Sequence, residues 1–294
     1  MNNLISTKQI KTKIILKNVF CLLLLKDSRI SVASNNRIKI FNKFTYNEEI
    51  NIRAHSDYIW YILQLLNENL VSCSNDYSIK IYKIYIKSYI EIQHIKAHLN
   101  SVYKVIEIIN LNYIISCSTD KSIKFWEKIS NTYEEKYCLF NDSSVYDIIQ
   151  INNNELVSAN SEEQIINFWN INTKTKINKI RKIFSNFWNN ILCKINENFL
   201  VVGGYEILYL VNLNNKTLYK QIETDNWINS ILIINNNIFL TGDNGNIKMW
   251  KIENNNIKLI DTKEKIFKGY IYSMIKLKNN DYIALGLDDE LIII

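Results

Sequence analysis

The feature that most constrains this sequence is a segment that occurs twice in nearly the same form. The segment Ser72–Tyr82 reads SCSNDYSIKIY, and the segment Ser116–Trp126 reads SCSTDKSIKFW. Weaker copies occupy the rest of the chain, and the seven copies end near residues 41, 82, 126, 169, 211, 250 and 294. A period of about 42 residues is typical of a repeat protein, in which each unit buries its apolar surface against its neighbours. Because the copies leave no room for a second domain, we predict one domain over residues 1–294.

Each repeat consists of short apolar runs separated by polar clusters. The runs hold about four to eight residues rich in Ile, Val and Tyr, the pattern of β-strands. In the third repeat the runs cover residues 102–109, 113–118, 122–126 and 133–140. A sustained helical period is absent, which argues against an α/β barrel of similar length. Four strands in each unit predict an all-β fold, a seven-bladed β-propeller of four-stranded antiparallel blades.

Two repeats carry a set of polar and aromatic residues at matching positions. The sets are His98, Ser116, Asp120 and Trp126 in the third repeat, and His55, Ser72, Asp76 and Tyr82 in the second. This pattern resembles the WD-repeat family. The resemblance implies that each set forms a hydrogen-bonded tetrad inside its blade. A buried carboxylate, hydroxyl and indole N–H need partners, and a histidine can bridge them.

The sequence also departs from the family pattern. No tryptophan is followed by aspartate, and the other five repeats lack the histidine. The turn of the fifth repeat, at Gly203-Gly204-Tyr205, is shortened. We therefore expect details to vary from blade to blade within one architecture.

The start and the end of the chain are predicted to meet. The seventh repeat reaches only its third strand at Ile294, which would leave a sheet edge unpaired. The segment 1–16 belongs to no repeat, and the resemblance implies that it completes the seventh blade and closes the ring. The following run, Val19–Leu25, then becomes the innermost strand of the first blade, buried on both faces. It mimics a signal peptide, but it is short and no small-residue cleavage site follows it.

Residue patterns that indicate enzyme chemistry are scarce. Six glycines furnish no phosphate-binding loop, and the spacing of His94 and His98 in an extended strand is too wide for a shared metal. The five cysteines fit buried free thiols in a reducing compartment. Lysines are scattered without a basic block, so the net charge of +6 does not indicate a nucleic-acid site. We expect no catalytic residue, no metal and no cofactor.

Aromatic residues recur at the start of the innermost strands. By alignment of the repeats, the equivalent positions near the start of the innermost strands are Phe20, Trp60, Tyr103, Tyr146, Asn189, Asn229 and Tyr272. The adjacent loops add Tyr58, Trp227 and Tyr270. The resemblance implies that these positions face partners at one mouth of the central channel. Large aromatic side chains with little charge are typical of protein-interaction hot spots. The alternative is that the rings plug the channel.

The sequence thus favours a non-enzymatic scaffold or adaptor that binds a protein or peptide on the top face. We expect a partner within a complex, a cytoplasmic or nuclear location, and no membrane insertion, since no apolar stretch is long enough. The alternative function is a hydrolase-type propeller enzyme with a site at the channel mouth. An acidic, metal-compatible funnel would favour that enzyme, and a shallow aromatic funnel would favour the binding module.

Overall fold

Seven four-stranded antiparallel sheets make up the computed structural model of the chain. It describes residues 10–160, 165–181, 191–254, 256–264, 268–277, 282–286 and 290–294. In six sheets the four strands follow one another in sequence, and the seventh combines the last three strands with the first. The sheets confirm the predicted all-β propeller of seven blades, numbered here from the N-terminus with the composite blade as blade 7.

The strands are numbered in chain order, and each blade has four positions from the channel outward. The innermost strands are β2 (Val19–Leu24), β6 (Ile59–Gln64), β10 (Val102–Ile108), β14 (Val145–Asn152), β18 (Ile191–Lys194), β22 (Ser230–Asn235) and β26 (Met274–Lys276). The second strands are β3 (Ile30–Ser34), β7 (Leu70–Ser74), β11 (Tyr113–Ser118), β15 (Glu155–Asn160), β19 (Phe199–Gly203), β23 (Ile238–Gly242) and β27 (Tyr282–Gly286). The third strands are β4 (Arg37–Phe41), β8 (Ser78–Ile84), β12 (Ser122–Ile129), β16 (Ile165–Asn170), β20 (Ile207–Asn212), β24 (Ile247–Glu253) and β28 (Glu290–Ile293). The outer strands are β5 (Glu48–Arg53), β9 (Tyr89–Lys96), β13 (Thr132–Phe140), β17 (Thr175–Arg181), β21 (Thr217–Glu223), β25 (Asn256–Lys263) and β1 (Thr12–Ile15).

The innermost strands form a closed ring. Each contacts the innermost strand of the next blade, in the order β2, β6, β10, β14, β18, β22 and β26, and β26 contacts β2. The one helical segment among the described residues is a 3₁₀ turn, Ile109–Leu111. No helix in the described ranges is long and apolar enough to cross a membrane.

Strand β1 closes the ring, as predicted. It pairs antiparallel with β28, with Thr12 opposite Ile293 and Ile15 opposite Glu290. The backbone N–H of Lys11 donates to the carbonyl of Ile293 at 2.7 Å, which extends the pairing by one residue. Residues 1–9 of the predicted closing segment lie outside the described residues.

The core lies between neighbouring blades. Every residue of β3, β7 and β19 is buried, because blades cover these second strands on both sides. The innermost strand β2 differs from the expectation of complete burial. Phe20, Leu23 and Leu24 are only half-buried, because an innermost strand has neighbouring blades on two sides and the open channel in front.

Candidate functional site

The strand order brings two sets of loops to the same end of the ring. In an antiparallel blade, the loop entering the innermost strand and the loop between the second and third strands lie at the same end of the sheet. We call this end the top face and the opposite end the bottom face. The predicted partner-binding residues lie in or next to the loops of the top face.

A β-bulge marks the top of the innermost strand in four consecutive blades. In blade 1 the register shifts between Val19 and Cys21, so Phe20 has no partner on β3. Register shifts at the same position occur in the next three blades. The four bulge residues are Phe20, Trp60, Tyr103 and Tyr146. Because a bulge re-aims its extra residue, each aromatic side chain turns out of the blade toward the channel mouth.

The bulge aromatics pack against one another from blade to blade. The rings of Trp60 and Tyr103 are stacked, with centroids 4.9 Å apart and planes at 10°. Trp60 also packs against Phe20 at 4.6 Å, and Tyr103 meets Tyr146 edge-on at 4.7 Å. Phe20 contacts Tyr272 of blade 7 at 5.3 Å, across the ring closure. The five rings therefore form one patch that spans five consecutive blades.

Loop aromatics extend this patch over blades 7, 6 and 5. Tyr272 contacts Tyr270 at 6.2 Å, Tyr270 contacts Trp227 at 6.3 Å, and Trp227 contacts Tyr205 at 6.0 Å. We call the whole network the aromatic arc. Its members are Phe20, Tyr58, Trp60, Tyr103, Tyr146, Tyr205, Trp227, Tyr270 and Tyr272. The structure thus brings together all eight predicted partner-binding residues.

Exposure differs along the arc. Tyr58 and Tyr205 are 40% and 36% exposed, whereas the other rings are half-buried. Tyr58 packs against Phe20 with ring centroids 5.6 Å apart, so its ring is held in place although it is exposed. Asn229 is buried and its Nδ2 donates to the carbonyl of Trp227 at 3.1 Å, which makes it a support for the loop. The predicted position Asn189 lies outside the described residues.

Sequence reasoning missed Tyr205. It lies in the shortened turn between β19 and β20, within the most degenerate repeat. The sequence Gly203-Gly204-Tyr205 indicated a shortened turn, and its tyrosine was not assigned to the binding surface. The one available signal was the repeat register, which places residue 205 in a top-face loop.

The arc surrounds a cavity of about 360 Å³ at the channel mouth. Phe20, Trp60, Tyr103, Tyr146 and Tyr272 all line it. Deeper lining residues come from the positions that follow the arc residues along the innermost strands. The space is large enough to accept part of a partner's chain, so the arc borders a funnel with an open interior.

A buried ion pair lies below the aromatic rings. Lys104 Nζ and Asp147 Oδ1 are 2.5 Å apart and join blade 3 to blade 4. Asp147 Oδ2 accepts the backbone N–H of Leu192 in blade 5 at 2.7 Å, and Lys104 Nζ lies 5.4 Å from the ring centre of Tyr61 in blade 2. Burial favours the uncharged amine, but the adjacent carboxylate outweighs it and raises the pKa of Lys104. Burial also raises the pKa of Asp147, and the contacts with Lys104 and with the Leu192 N–H oppose that rise. Together these contacts tie four blades to one another.

The ion pair was also missed in the sequence. Lys104 and Asp147 each follow an arc residue directly, in Tyr103-Lys104 and Tyr146-Asp147. The signal was therefore present as two opposite charges at one repeat position in neighbouring units. The sequence predicted only aromatic and amide side chains at the channel mouth.

The described lining of the cavity contains few of the groups that hydrolytic enzymes use. Asp147 is the single carboxylate among the cavity-lining residues that the structure describes, and Lys104 neutralises it. No group of three or more His, Cys, Asp and Glu side chains in the described part of the chain could hold a metal ion. Burial raises the pKa of the Cys21 thiol to about 11 and that of Cys193 to about 12, so both stay protonated at neutral pH. The aromatic, charge-neutralised funnel favours the binding module over the hydrolase alternative.

The predicted tetrad of blade 3 lies beneath the top-face loops. His98 Nδ1 donates to Asp120 Oδ2 at 2.9 Å, and His98 Nε2 accepts from the hydroxyl of Ser116 at 2.7 Å. Trp126 Nε1–H donates to Ser116 Oγ at 2.8 Å. The sequence missed a fifth member, Ser122, whose hydroxyl donates to Asp120 Oδ1 at 2.6 Å. When His98 is neutral, every polar group in this series of hydrogen bonds, from the Trp126 indole to the Asp120 carboxylate, has a partner.

Blade 2 repeats this arrangement with one difference. His55 contacts Asp76 at 2.9 Å and Ser72 at 2.7 Å, as in blade 3. Tyr82, however, donates its hydroxyl to the carbonyl of Ala54 at 3.2 Å and not to Ser72. A phenol carries its donor at the tip of the ring, beyond the serine, whereas an indole carries its N–H on the side. Tyr82 therefore shares the position of Trp126 but makes a different hydrogen bond from the one the resemblance implied.

The tetrad groups have shifted pKa values. Burial lowers the pKa of His55 and of His98 below the ordinary 6.5, against the pull of the carboxylates. Burial alone would raise the pKa of Asp120, but hydrogen bonds from His98 and Ser122 outweigh it and hold that pKa well below 3.8. At neutral pH each tetrad thus holds a neutral imidazole that donates to an ionised carboxylate.

These shifts predict that acid destabilises the fold in two stages. Below about pH 6.5 the two histidines bind protons in the unfolded chain, whereas the lowered pKa values keep His55 and His98 neutral in the native state. The free energy of unfolding therefore falls with falling pH. The slope is at most about 1.4 kcal/mol per pH unit for each histidine. A second fall follows below about pH 4, where Asp76 and Asp120 become protonated in the unfolded chain but stay ionised in the native one. Urea unfolding at a series of pH values measures both stages.

The control for the first stage is a variant with both tetrad histidines replaced by glutamine. It keeps the exposed third histidine, His94. The slope between pH 5 and 6.5 should disappear in this variant, since the groups responsible are gone. An unchanged slope would assign the pH dependence to other groups and contradict the tetrad explanation.

Known proteins resemble this chain over one repeat in sequence and over nearly its whole length in structure. The family described as WD domain, G-beta repeat, matches residues 90–127. No curated protein matches the chain. The structure of U3-55K is 17% identical, with a TM-score of 0.81 and coverage of 96% of this chain and 97% of that chain. The crystal structure of the RRP9 WD40 repeats is 16% identical, with a TM-score of 0.78 and coverage of 96% of each.

A third similar structure is a chain in the crystal structure of the mitotic checkpoint complex. It is 11% identical, with a TM-score of 0.82, and the alignment covers 100% of this chain and 93% of that chain. At these identities the likeness shows a shared fold. Together with the matched repeat and the hydrogen-bonded histidines, it supports the resemblance drawn from the sequence.

Proposed function

We propose that this chain, a WD-repeat β-propeller, is a non-enzymatic interaction module that binds a peptide or protein partner on its top face. The observation that carries the proposal is the aromatic arc, nine rings in continuous contact around the channel mouth. One of the similar solved structures is that of a complex, which agrees with a role among protein partners. A scaffold or adaptor needs a rigid surface more than it needs reactive groups.

The arc has the properties of a binding hot spot. Tyrosine and tryptophan bury large areas with few rotatable bonds, so little conformational entropy is lost when a partner covers them. Ring-to-ring contacts such as Trp60 on Tyr103 fix the side chains before a partner arrives. Preorganisation of this kind reduces the ordering that binding requires. The bulges at four equivalent positions present the rings at one level around the funnel.

Truncation of single arc side chains is expected to weaken partner binding strongly without unfolding the chain. Tyr58→Ala removes a ring that is 40% exposed, and it should weaken partner binding roughly thirtyfold, or by about 2 kcal/mol. Trp60→Ala and Tyr103→Ala should weaken it further, since their rings lie at the centre of the patch. The measurement is affinity capture from the protein's own cells, with quantitative mass spectrometry of each variant against the wild type.

The matched control is Tyr85→Ala. Tyr85 is also 40% exposed, but it lies in the turn between β8 and β9 on the bottom face. This variant should retain the captured partners. If arc variants with unchanged thermal midpoints retain every partner, the rings plug the channel and the interaction face lies elsewhere on the disc.

A further inference from the structure

The described loops at the two faces of the propeller differ in their balance of acidic and basic residues. The described loops of the top face contain more acidic than basic residues, although the whole chain has a net charge of +6. The acidic residues are Asp57, Asp76, Asp120, Asp142, Glu206, Asp225, Asp243 and Glu264. The basic residues are Lys17, Lys121 and Lys268. The aromatic arc therefore lies in the acidic part of a basic protein.

The bottom face shows the reverse balance. Its described loops contain the basic residues Lys26, Arg29, Lys43, Lys87, Lys174 and Lys216. Its acidic residues are Asp27, Glu68 and Glu197. The excess of basic residues in the whole chain, 35 Lys and Arg against 29 Asp and Glu, thus does not explain the acidic loops of the top face.

Several of the top-face carboxylates are exposed to solvent, where a partner can reach them. The side chains of Asp142 and Asp225 are 74% and 84% exposed, and Glu206 is exposed beside the arc residue Tyr205. Asp142 lies 3.9 Å from Lys176 Nζ and Asp225 lies 2.7 Å from Lys248 Nζ, but exposed pairs of this kind are weak and can exchange partners. Asp225 lies two residues before Trp227, so the acids follow the edge of the arc. The tetrad carboxylates add to the same field, because their hydrogen bonds keep Asp76 and Asp120 ionised.

We infer that the segment bound by the aromatic arc is basic, a stretch of peptide that carries lysine or arginine. This inference rests on the proposed function, since it concerns the partner of the same site. Electrostatic complementarity selects partners and speeds their encounter, and aromatic rings accept cationic side chains and their methylene stems alike. The exposed acids at the rim would pair with the charged groups while the arc covers the apolar part.

The test uses a display library of random short peptides, selected on the full-length chain at low ionic strength. Selected sequences should be enriched in lysine and arginine. A net charge of +6 repels such peptides in general, so their enrichment requires a local acidic site. The affinity of the peptide that the library enriches most, measured by fluorescence anisotropy, should fall as salt is raised.

Two variants with equal changes in net charge locate the site. The top-face variant combines Asp142→Asn, Glu206→Gln and Asp225→Asn, and it should lower the affinity of the peptide about tenfold. The bottom-face control combines Asp27→Asn, Glu68→Gln and Glu197→Gln, and it should leave the affinity nearly unchanged. Tyr58→Ala should weaken the same peptide, because arc and rim act on one ligand.

The other outcomes overturn the inference. Enrichment of apolar or acidic peptides that Tyr58→Ala no longer binds would refute a basic partner while leaving the arc as an interaction site. Basic peptides that bind the top-face variant and the wild type equally would place the acidic site elsewhere. Absence of any basic enrichment also counts against the inference, whereas the proposed function stands or falls by the capture experiment.

Discussion

Deletion of residues 1–16 is expected to lower the thermal midpoint by about 8 °C. The deletion removes β1, the outer strand of blade 7, and opens the ring between its last and first elements. Leu16 is 5% exposed and Ile14 packs into the core between blades 7 and 1, so their loss exposes apolar surface worth about 4 kcal/mol. In a chain of 294 residues each kcal/mol corresponds to about 2 °C.

Differential scanning calorimetry of the truncated and intact chains measures this effect. The control is Ile15→Ala, which alters the same strand at a side chain that is 80% exposed and should leave the midpoint within about one degree. A truncated chain with an unchanged midpoint would show that the pairing of β1 with β28 contributes nothing to closure. The unpaired edge of β28 should also make the truncated chain more prone to aggregation.

Asp147→Asn is expected to destabilise the fold by about 3–5 kcal/mol, the usual effect of removing one partner of a buried ion pair. The asparagine oxygen can still accept the backbone N–H of Leu192, so the substitution isolates the charge. Lys104 then loses the carboxylate that compensates its burial, so it either stays charged without a partner or gives up its proton, and both outcomes lower the stability of the fold. Urea unfolding at neutral pH gives the change in the free energy of unfolding.

The double variant Lys104→Met with Asp147→Asn should recover most of that loss. It removes both charges and keeps the hydrogen bond to Leu192, and such replacements are often neutral or stabilising. The surface pair Lys39 and Glu48, 2.8 Å apart, is the control, and Glu48→Gln should reduce stability by less than about 1 kcal/mol. Additive effects of the two channel substitutions would contradict a coupled pair.

The architecture was predictable because the sequence repeats it. The copies at Ser72–Tyr82 and Ser116–Trp126 set the period, and the run of short apolar segments within each period indicated four strands. The same register located the arc, since equivalent positions in a propeller occupy equivalent places around the channel. The tetrad partners of His98 were predictable for the same reason, and the structure places them in hydrogen-bond contact.

The features that were missed depend on contacts between repeats. Lys104 pairs with Asp147 of the next blade. Alignment of the repeats identifies equivalent positions, but it does not show which side chains of neighbouring blades are in contact. The bulge at Phe20 was invisible because an extra residue leaves the apolar pattern of one strand nearly unchanged. The hydrogen bond of Tyr82 depends on the length of its side chain, which alignment to tryptophan conceals.

The interaction role of the aromatic arc can be tested most directly by site-specific photocrosslinking in the protein's own cells. A photoreactive benzoyl-phenylalanine would replace Tyr58 on the arc in one variant and Tyr85 on the bottom face in another. These two side chains are equally exposed, so the comparison reports the face that the partner occupies. The account predicts a discrete crosslinked partner from position 58 and none from position 85. A partner crosslinked from position 85, with none from position 58, would contradict it.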